Sequence, residues 1–337
     1  FVMLAMASSG FGFSVLAKPE NLQKLTDSGV TWIPEWLLKT LAYQFDHVVW
    51  TGCGFWDLIQ PSFMFLVGVA VPFSYSRRAT EGESSAARFR HVLWRSFVLV
   101  ALGVFLSSNG SKQTNFTFVN VLSQIGLGYP VLYLLRERSL RAQFAAAAVI
   151  LVGYWGWFAN SQMPAPEVAD SINATLVARD ERLRVAGREI PKEPQPWTGL
   201  AAHWNKHVNA AAEIDRKLLN RFPREGEPFR GQKFWINDGG YQTLNFIPSL
   251  ATMLFGLMCG EMLRSSRTPN RKLQILIVAG VAGIVAGMIW SWLGVPLVKR
   301  IWTPSWALYS TGWCLLILAA LYAIIDLRGW RAWSFPL

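Results

Sequence analysis

The stretch FDHVVWTGCGFWDLIQPSFMFLVGVAVPFSYS, residues 45–76, decides the fold. From Ile59 onward it is an apolar run, and about 20 such residues in a helix cross a hydrocarbon core of roughly 30 Å. Pro61 falls in the first turn, where a missing N–H is tolerated. Asp57 stands where it helps to cap that end. Gly68 and Pro72 predict a kink of the kind that packed membrane helices absorb. The first half of the stretch holds Asp46, His47 and Asp57 at the mouth of the span. Titratable groups are costly to hold there, so they raise the question of function.

The rest of the chain follows the same pattern. Its 337 residues are 52% hydrophobic and include 17 tryptophans. The apolar residues gather into blocks of span length. The fold class expected is all-α, a polytopic transmembrane helix bundle with eight spans near 1–17, 59–76, 91–107, 117–135, 142–160, 243–263, 273–296 and 304–326. Residues 1–160 would hold five spans and the histidine motif loop, 18–58. Residues 161–242 would form one long extracytoplasmic loop, and 243–337 the last three spans. The opening at Phe1 and the ending WSFPL read as a chain incomplete at both ends. Cys259 and Cys314 fall in apolar spans and Cys53 in the motif loop, so no disulfide framework is implied.

The formal net charge is +11. Cytoplasmic loops rich in Lys and Arg account for it, so no nucleic-acid partner is inferred. One side of the bundle carries Arg77, Arg78, Arg88 and Arg90, then Arg136, Arg138 and Arg141, then Arg264, Arg267, Arg271 and Lys272, then Arg328 and Arg331. The other side carries Lys18, Lys24, Lys39, Lys112, Lys299 and Arg300, roughly half as many, and is therefore extracytoplasmic. His47 faces that side, the periplasm if the membrane is a bacterial inner membrane. The 161–242 segment lies there too, and its length exempts it from the charge rule. It contains ARDERLRVAGREIPKEPQP, with a short amphipathic helix expected over 176–190. Trp197, Trp204 and Trp235 mark an ordered part. There is no internal repeat and no convincing pair of broken spans of the kind many transporters show.

His47 leads the candidates for chemistry. Imidazole exchanges a proton near neutral pH, and a carboxylate can orient the ring and stabilise its cation. Asp46 is adjacent, and Asp57 can fold back to it. An interfacial histidine bonded to a carbonyl is the bland alternative. His203 and His207 are four apart and on a helix would make half a zinc site. No acidic residue completes it, so a polar surface helix is favoured and no metal is expected. His91 reads as structural. Arg95 lies inside a span, where it must snorkel, pair or bind a phosphate. Asn120, Gln124 and Asn245 are span polar residues that either glue helices or line a polar path. Lys299 and Arg300 form a basic pair on a short outer loop, suited to an anionic ligand. No glycine-rich phosphate loop, zinc cysteine cluster or nucleophile elbow is present.

Together these blocks resemble the heparan-α-glucosaminide N-acetyltransferase family of transmembrane acyltransferases. The resemblance rests first on Phe45, His47, Trp50, Gly52, Asp57, Leu58 and Pro61. WRSF at 94–97, NVLSQIGLGY at 120–129, GGYQTLNFIPSLATMLFGLMCGEML and VPLVKRIWTPSWALYSTGW continue it in order. It implies transfer of an acetyl group from cytoplasmic acetyl-CoA to a sugar across the membrane, with His47 catalytic. The sequence departs from the family at Gly10, where the animal enzyme has a functional asparagine. It departs again in an insertion over about 18–42, and at Gln60.

These readings converge on a membrane acyltransferase that uses acyl-CoA on an extracytoplasmic saccharide hydroxyl or amine. His47 would act as a base or carry the acyl group itself, with Asp57 orienting it or capping its helix. Arg95, Asn120, Gln124, Asn245, Lys299 and Arg300 are the candidates for the CoA path. Trp50, Trp204 and Trp235 are the candidates for sugar contact. The partners implied are acyl-CoA, a saccharide and the lipid bilayer, with a homo-oligomer compatible. A transporter or flippase for a polar or anionic solute is the rival class, and a structural subunit that docks through its outer loop is a third.

Overall fold

The computed structural model describes residues 12–29, 32–80, 84–188, 190, 192–224 and 236–331. Its helices in chain order are α1 (Phe13–Leu16), α2 (Pro19–Asp27), α3 (Glu35–Gln44), α4 (Ile59–Thr80), α5 (Ser85–Ser107) and α6 (Val121–Leu135). They continue with α7 (Leu140–Ala159), α8 (Pro166–Val185), α9 (Ala210–Leu219), α10 (Phe246–Arg264), α11 (Pro269–Trp292) and α12 (Pro304–Leu321). Among the described residues there is no β-strand, only an isolated antiparallel bridge between Thr51 and Val298. The fold is all-helical.

Among the described residues, six helical segments are long and apolar enough to cross a membrane: Phe55–Tyr75, Ser85–Ser107, Leu140–Ala159, Thr243–Arg264, Pro269–Trp292 and Pro304–Leu327. The block expected at 117–135 forms the shorter apolar helix α6, which begins only at Val121. Its start is fixed by Asn120, whose Oδ1 accepts the Ser123 N–H at 3.0 Å. Most of the block expected at 1–17 lies outside the described residues, and Phe13–Leu16 is one helical turn. The block expected at 273–296 starts earlier, at Pro269, and ends at Trp292. Gly294 then takes a left-handed φ of 96°. The chain beyond it runs as a loop to Pro304.

The bundle closes around the α4–α10 pair. Gly256 and Gly260 of α10 abut the Phe65 and Val69 carbonyls of α4, while Gly68 abuts the backbone of Met253. Small residues at such crossings let backbones approach, which supplies the packing that lipid cannot. Gly280 and Gly312 play the same part between α11 and α12. Around the first crossing, Met64, Met253, Leu254, Leu257, Leu132 and Trp306 form the buried core. A Cβ at Gly256 would collide with the Phe65 carbonyl, whereas one at Gly153 would meet open space. Gly256→Val is therefore expected to lose about 1–3 kcal/mol to overpacking. The check is thermal melting in detergent, with Gly153→Val unchanged as the control.

The long segment after α7 is structured over most of its described length. The helix expected over 176–190 starts instead at Pro166, which sits in its first turn, and ends at Val185. Gly187, at a left-handed φ of 63°, follows its end. The 18–42 insertion forms α2 and α3. Both segments sit at the end of the bundle that carries His47, and both wall its cleft.

Candidate functional site

The site is assembled by two loops that meet at the mouth of the bundle. One is the motif loop before α4, the other the loop between α11 and α12. They are joined by the Thr51–Val298 bridge and by the Gly52 N–H, which donates to the Leu297 carbonyl at 3.0 Å. Thr303 fixes the second loop: its hydroxyl donates to the Pro296 carbonyl at 2.8 Å and accepts the Val298 N–H at 3.1 Å. Trp302 is held there at a φ of 47°, fully buried. A bulky residue in that region is strained, so the surrounding bonds must over-determine it.

Within this frame Asp57 is the hub. It lies in the 3-10 turn Phe55–Leu58 and is buried. Its Oδ2 accepts the N–H groups of Gly54 at 3.0 Å and Val48 at 3.3 Å. Its Oδ1 stands 2.9 Å from His47 Nδ1 and accepts from Lys299 Nζ at 3.0 Å. Lys299 Nζ is also 3.2 Å from His47 Nδ1. Asp46, the nearer carboxylate in sequence, instead takes the backbone N–H of His47 at 2.7 Å. The lysine is buried, while the histidine side chain keeps 41% of its surface exposed. Trp56 backs the imidazole at 5.5 Å between ring centres. Cys53 is no thiolate nucleophile here, because burial, and then the Asp57 charge, push its thiol up to about 12.

His47 borders a cleft of about 1380 Å³ whose walls include Lys18, Tyr43, Asp46, Trp50, Lys192 and Trp197. One wall is the proline-punctuated strap 192–197. Glu193 anchors it, receiving Lys206 Nζ at 2.9 Å and Arg179 Nη1 at 3.0 Å, with His207 Nε2 3.5 Å away. Burial alone would raise the Glu193 carboxyl, but contacts with His207, Lys206 and Arg179 outweigh it and hold the group at about 2. Burial dominates at Lys206 and His207, so both are shifted down despite the carboxylate. The strap's other end is clamped by Asn205, which accepts the Trp197 N–H at 2.7 Å and donates to its carbonyl at 2.9 Å. Neither the cluster nor the strap was expected from the sequence. The one available signal was a Glu set between prolines in PKEPQPW.

The remaining candidates scatter. Trp50 is buried at the cleft edge and donates to the Trp204 carbonyl at 3.1 Å. Trp204 itself is fully buried, stacked on Phe158 at 6.1 Å. Trp235 lies outside the described residues. Arg300 donates to the carbonyls of Gly239 at 2.7 Å and Val48 at 3.2 Å. Asn245 Nδ2 donates to the Arg300 carbonyl at 2.7 Å. Gln124 Nε2 donates to the carbonyls of Phe118 and Thr243 at 2.9 and 3.1 Å. The carbonyl oxygens of the Gln124 and Asn245 amides are buried without a partner among the described residues. Both ends of the Asn120 amide are taken, by Ser123 N–H and by the Gly103 carbonyl at 2.9 Å. Arg95 sits about 15 Å along α5 from Ser85, with Nη1 3.5 Å from the Tyr129 hydroxyl. His203 and His207 do not share a helix face: the first lies in a 3-10 turn, the second at a φ of 69°.

Comparison with known proteins points the same way as the sequence blocks. Residues 36–176 match the family described as Heparan-alpha-glucosaminide N-acetyltransferase, catalytic. Heparan-alpha-glucosaminide N-acetyltransferase of Homo sapiens is 22% identical over 333 residues, covering 87% of this chain and 46% of that protein. The enzyme of the same name from Mus musculus is 21% identical over 333 residues, covering 87% and 47%. The chain thus spans about half the length of these curated relatives. The matched region contains His47 and Asp57, and there the chain is similar to these acetyltransferases.

Proposed function

We propose that this chain, similar to the membrane acetyltransferases, moves an acyl group, acetyl by family likeness, from cytoplasmic acyl-CoA to an extracytoplasmic saccharide hydroxyl or amine. One observation carries the reading. His47 Nδ1 is committed to Asp57 at 2.9 Å, while Nε2 has no hydrogen-bond partner among the described residues, and the ring borders a large cleft. An imidazole so held has its reactive lone pair on Nε2. It can take the proton of an attacking O–H or N–H, or attack the thioester itself. Asp57 orients the ring.

The proposal includes the full topology. The eight spans, counting one that ends near Ala17, lie as the Arg-rich loops dictate. His47 and the 161–242 loop face the periplasm of a bacterial inner membrane. Spans 1–160 and 243–337 enclose the donor path. Gln124 Oε1 and Asn245 Oδ1 fit that path, since they are buried acceptors with no partner among the described residues, and a pantetheine arm carries amide N–H donors. Trp50 at the cleft edge, and Trp235, are sugar contacts. Trp204 acts through Trp50.

The test uses the protein in detergent with acetyl-CoA and a panel of amino and neutral sugars. Free CoA thiol and acetylated sugar are followed for wild type and His47→Ala. Acceptor-dependent thiol release that is lost in the variant is the expected result. Equal release in both removes His47 from the chemistry. No release with any acyl-CoA, together with solute uptake in liposomes, makes the protein a transporter.

A further inference from the structure

We infer that Lys299 is a positioning residue for the imidazole, the hydrogen-bond donor to His47 Nδ1 whenever that nitrogen carries a lone pair. The inference rests on the acyltransferase reading. It starts from an oddity of the cluster: Nδ1 is flanked by an acceptor, Asp57 Oδ1 at 2.9 Å, and by a donor, Lys299 Nζ at 3.2 Å. A ring that only shuttles a proton at Nε2 keeps Nδ1 protonated throughout and needs the carboxylate alone. A ring acylated on Nε2 and neutral has a lone pair on Nδ1 and needs a donor there. The site supplies both.

The step balances as follows. Nε2 bonds to the thioester carbon, the C–S bond breaks, and CoA leaves as thiolate. The Nδ1 proton departs through solvent in the cleft and protonates the thiolate. Nδ1 then accepts from Lys299. In the second half the acceptor's O or N attacks the acyl carbon, the bond to Nε2 breaks, and the acceptor's proton returns by solvent to Nδ1, which again donates to Asp57.

Lys299 acts on charge as well. Its ammonium, 3.0 Å from Asp57 Oδ1, neutralises the carboxylate that would otherwise stabilise an imidazolium. The other charged groups around the ring are Asp46, bonded to the His47 backbone, and Arg300, bonded to the Val48 carbonyl. Lys18, Glu20, Lys39, Lys192 and Glu193 line the cleft. Among the described residues, only Lys299 Nζ and Asp57 Oδ1 lie within hydrogen-bond distance of the ring nitrogens.

The experiment is rapid mixing of acyl-CoA with enzyme in the absence of acceptor, following thiol release for wild type, Lys299→Met and Lys299→Arg across pH. Wild type is expected to give a burst stoichiometric with enzyme. Lys299→Met is expected to slow the burst at least about 100-fold, with the KM for acyl-CoA within a factor of about three. Its acidic limb should move to higher pH, because Asp57 alone then favours the imidazolium. Lys299→Arg should recover about tenfold, as a guanidinium also donates. A burst unchanged in Lys299→Met overturns the inference. So does a raised KM alone, which would mean anion binding, or a uniform loss at every pH matched by a lower melting temperature. Wild-type turnover without a burst also overturns it while leaving the acyltransferase intact. Wild type inert toward every acyl-CoA and acceptor sinks the acyltransferase reading itself.

Discussion

Asp57→Asn is expected to cut acyl transfer by about four orders of magnitude, the scale seen when a triad carboxylate becomes an amide and the histidine is left in the wrong tautomer. The backbone decides which way the amide points. The Gly54 and Val48 N–H groups both donate to Asp57 Oδ2. The amide oxygen must stay there, which turns the NH₂ toward His47 Nδ1 and Lys299 Nζ. Nδ1 then accepts and its proton moves to Nε2, so the ring presents a donor to the cleft where a lone pair is needed. The lysine, buried and 3.0 Å from the lost oxygen, faces a second donor. Because the two backbone bonds survive, the turn before α4 should still form. Asp57→Ala deletes them as well and should also lower the melting temperature. The check is kcat for acetyl transfer beside a melting curve for each variant. A folded Asp57→Asn with more than about one-tenth of wild-type kcat would remove Asp57 from the reaction, because tautomer control of this kind leaves far less.

Six of the eight expected spans were legible because a membrane helix announces itself by length and apolarity, and the six long helices among the described residues fall where such runs occur. The pairing at the site was only half legible. Asp46 and Asp57 were equal candidates by type. Asp46 fails because the chain at His47 turns so that its carboxylate meets the adjoining N–H. Lys299 read as an anion site because a basic pair on an outer loop violates the charge rule. Its actual partner lies 242 residues away, and nothing local in the sequence points there. Arg300 is likewise absorbed by carbonyls. Trp204 was a candidate sugar platform because an apolar ring face suits an aromatic side chain. Its segment folds back on α7 and buries it under Phe158. Periodicity reads elements well and reads nothing about which loops meet.

Glu193 shows the same blindness and carries the second large effect. Glu193→Gln is expected to destabilise the part of the molecule around the strap by up to about 3 kcal/mol, the low end of the range for breaking a buried ion pair, because Glu193 keeps 28% of its side chain exposed and Arg179 keeps Asp180. Arg179, Lys206 and His207 are all buried, and the carboxylate is the common partner of the three. The pH dependence follows from its direction of shift. The folded group sits at about 2, against 4.5 ordinarily. Its stabilisation is therefore complete above about pH 4.5 and drains away as pH falls toward 2. Integrated over that window it amounts to at most about 3 kcal/mol. In Glu193→Gln the acid-dependent part should vanish, so the melting temperatures of the two proteins should converge on acidification and separate at neutral pH. Because the strap walls the cleft, the KM for acceptor should rise while the acceptor-free thiol burst is kept. A constant gap between the two melting curves from pH 7 to pH 3 would mean that Glu193 is not charged and paired in the folded protein. A lost burst would mean that the strap serves the donor half of the reaction as well.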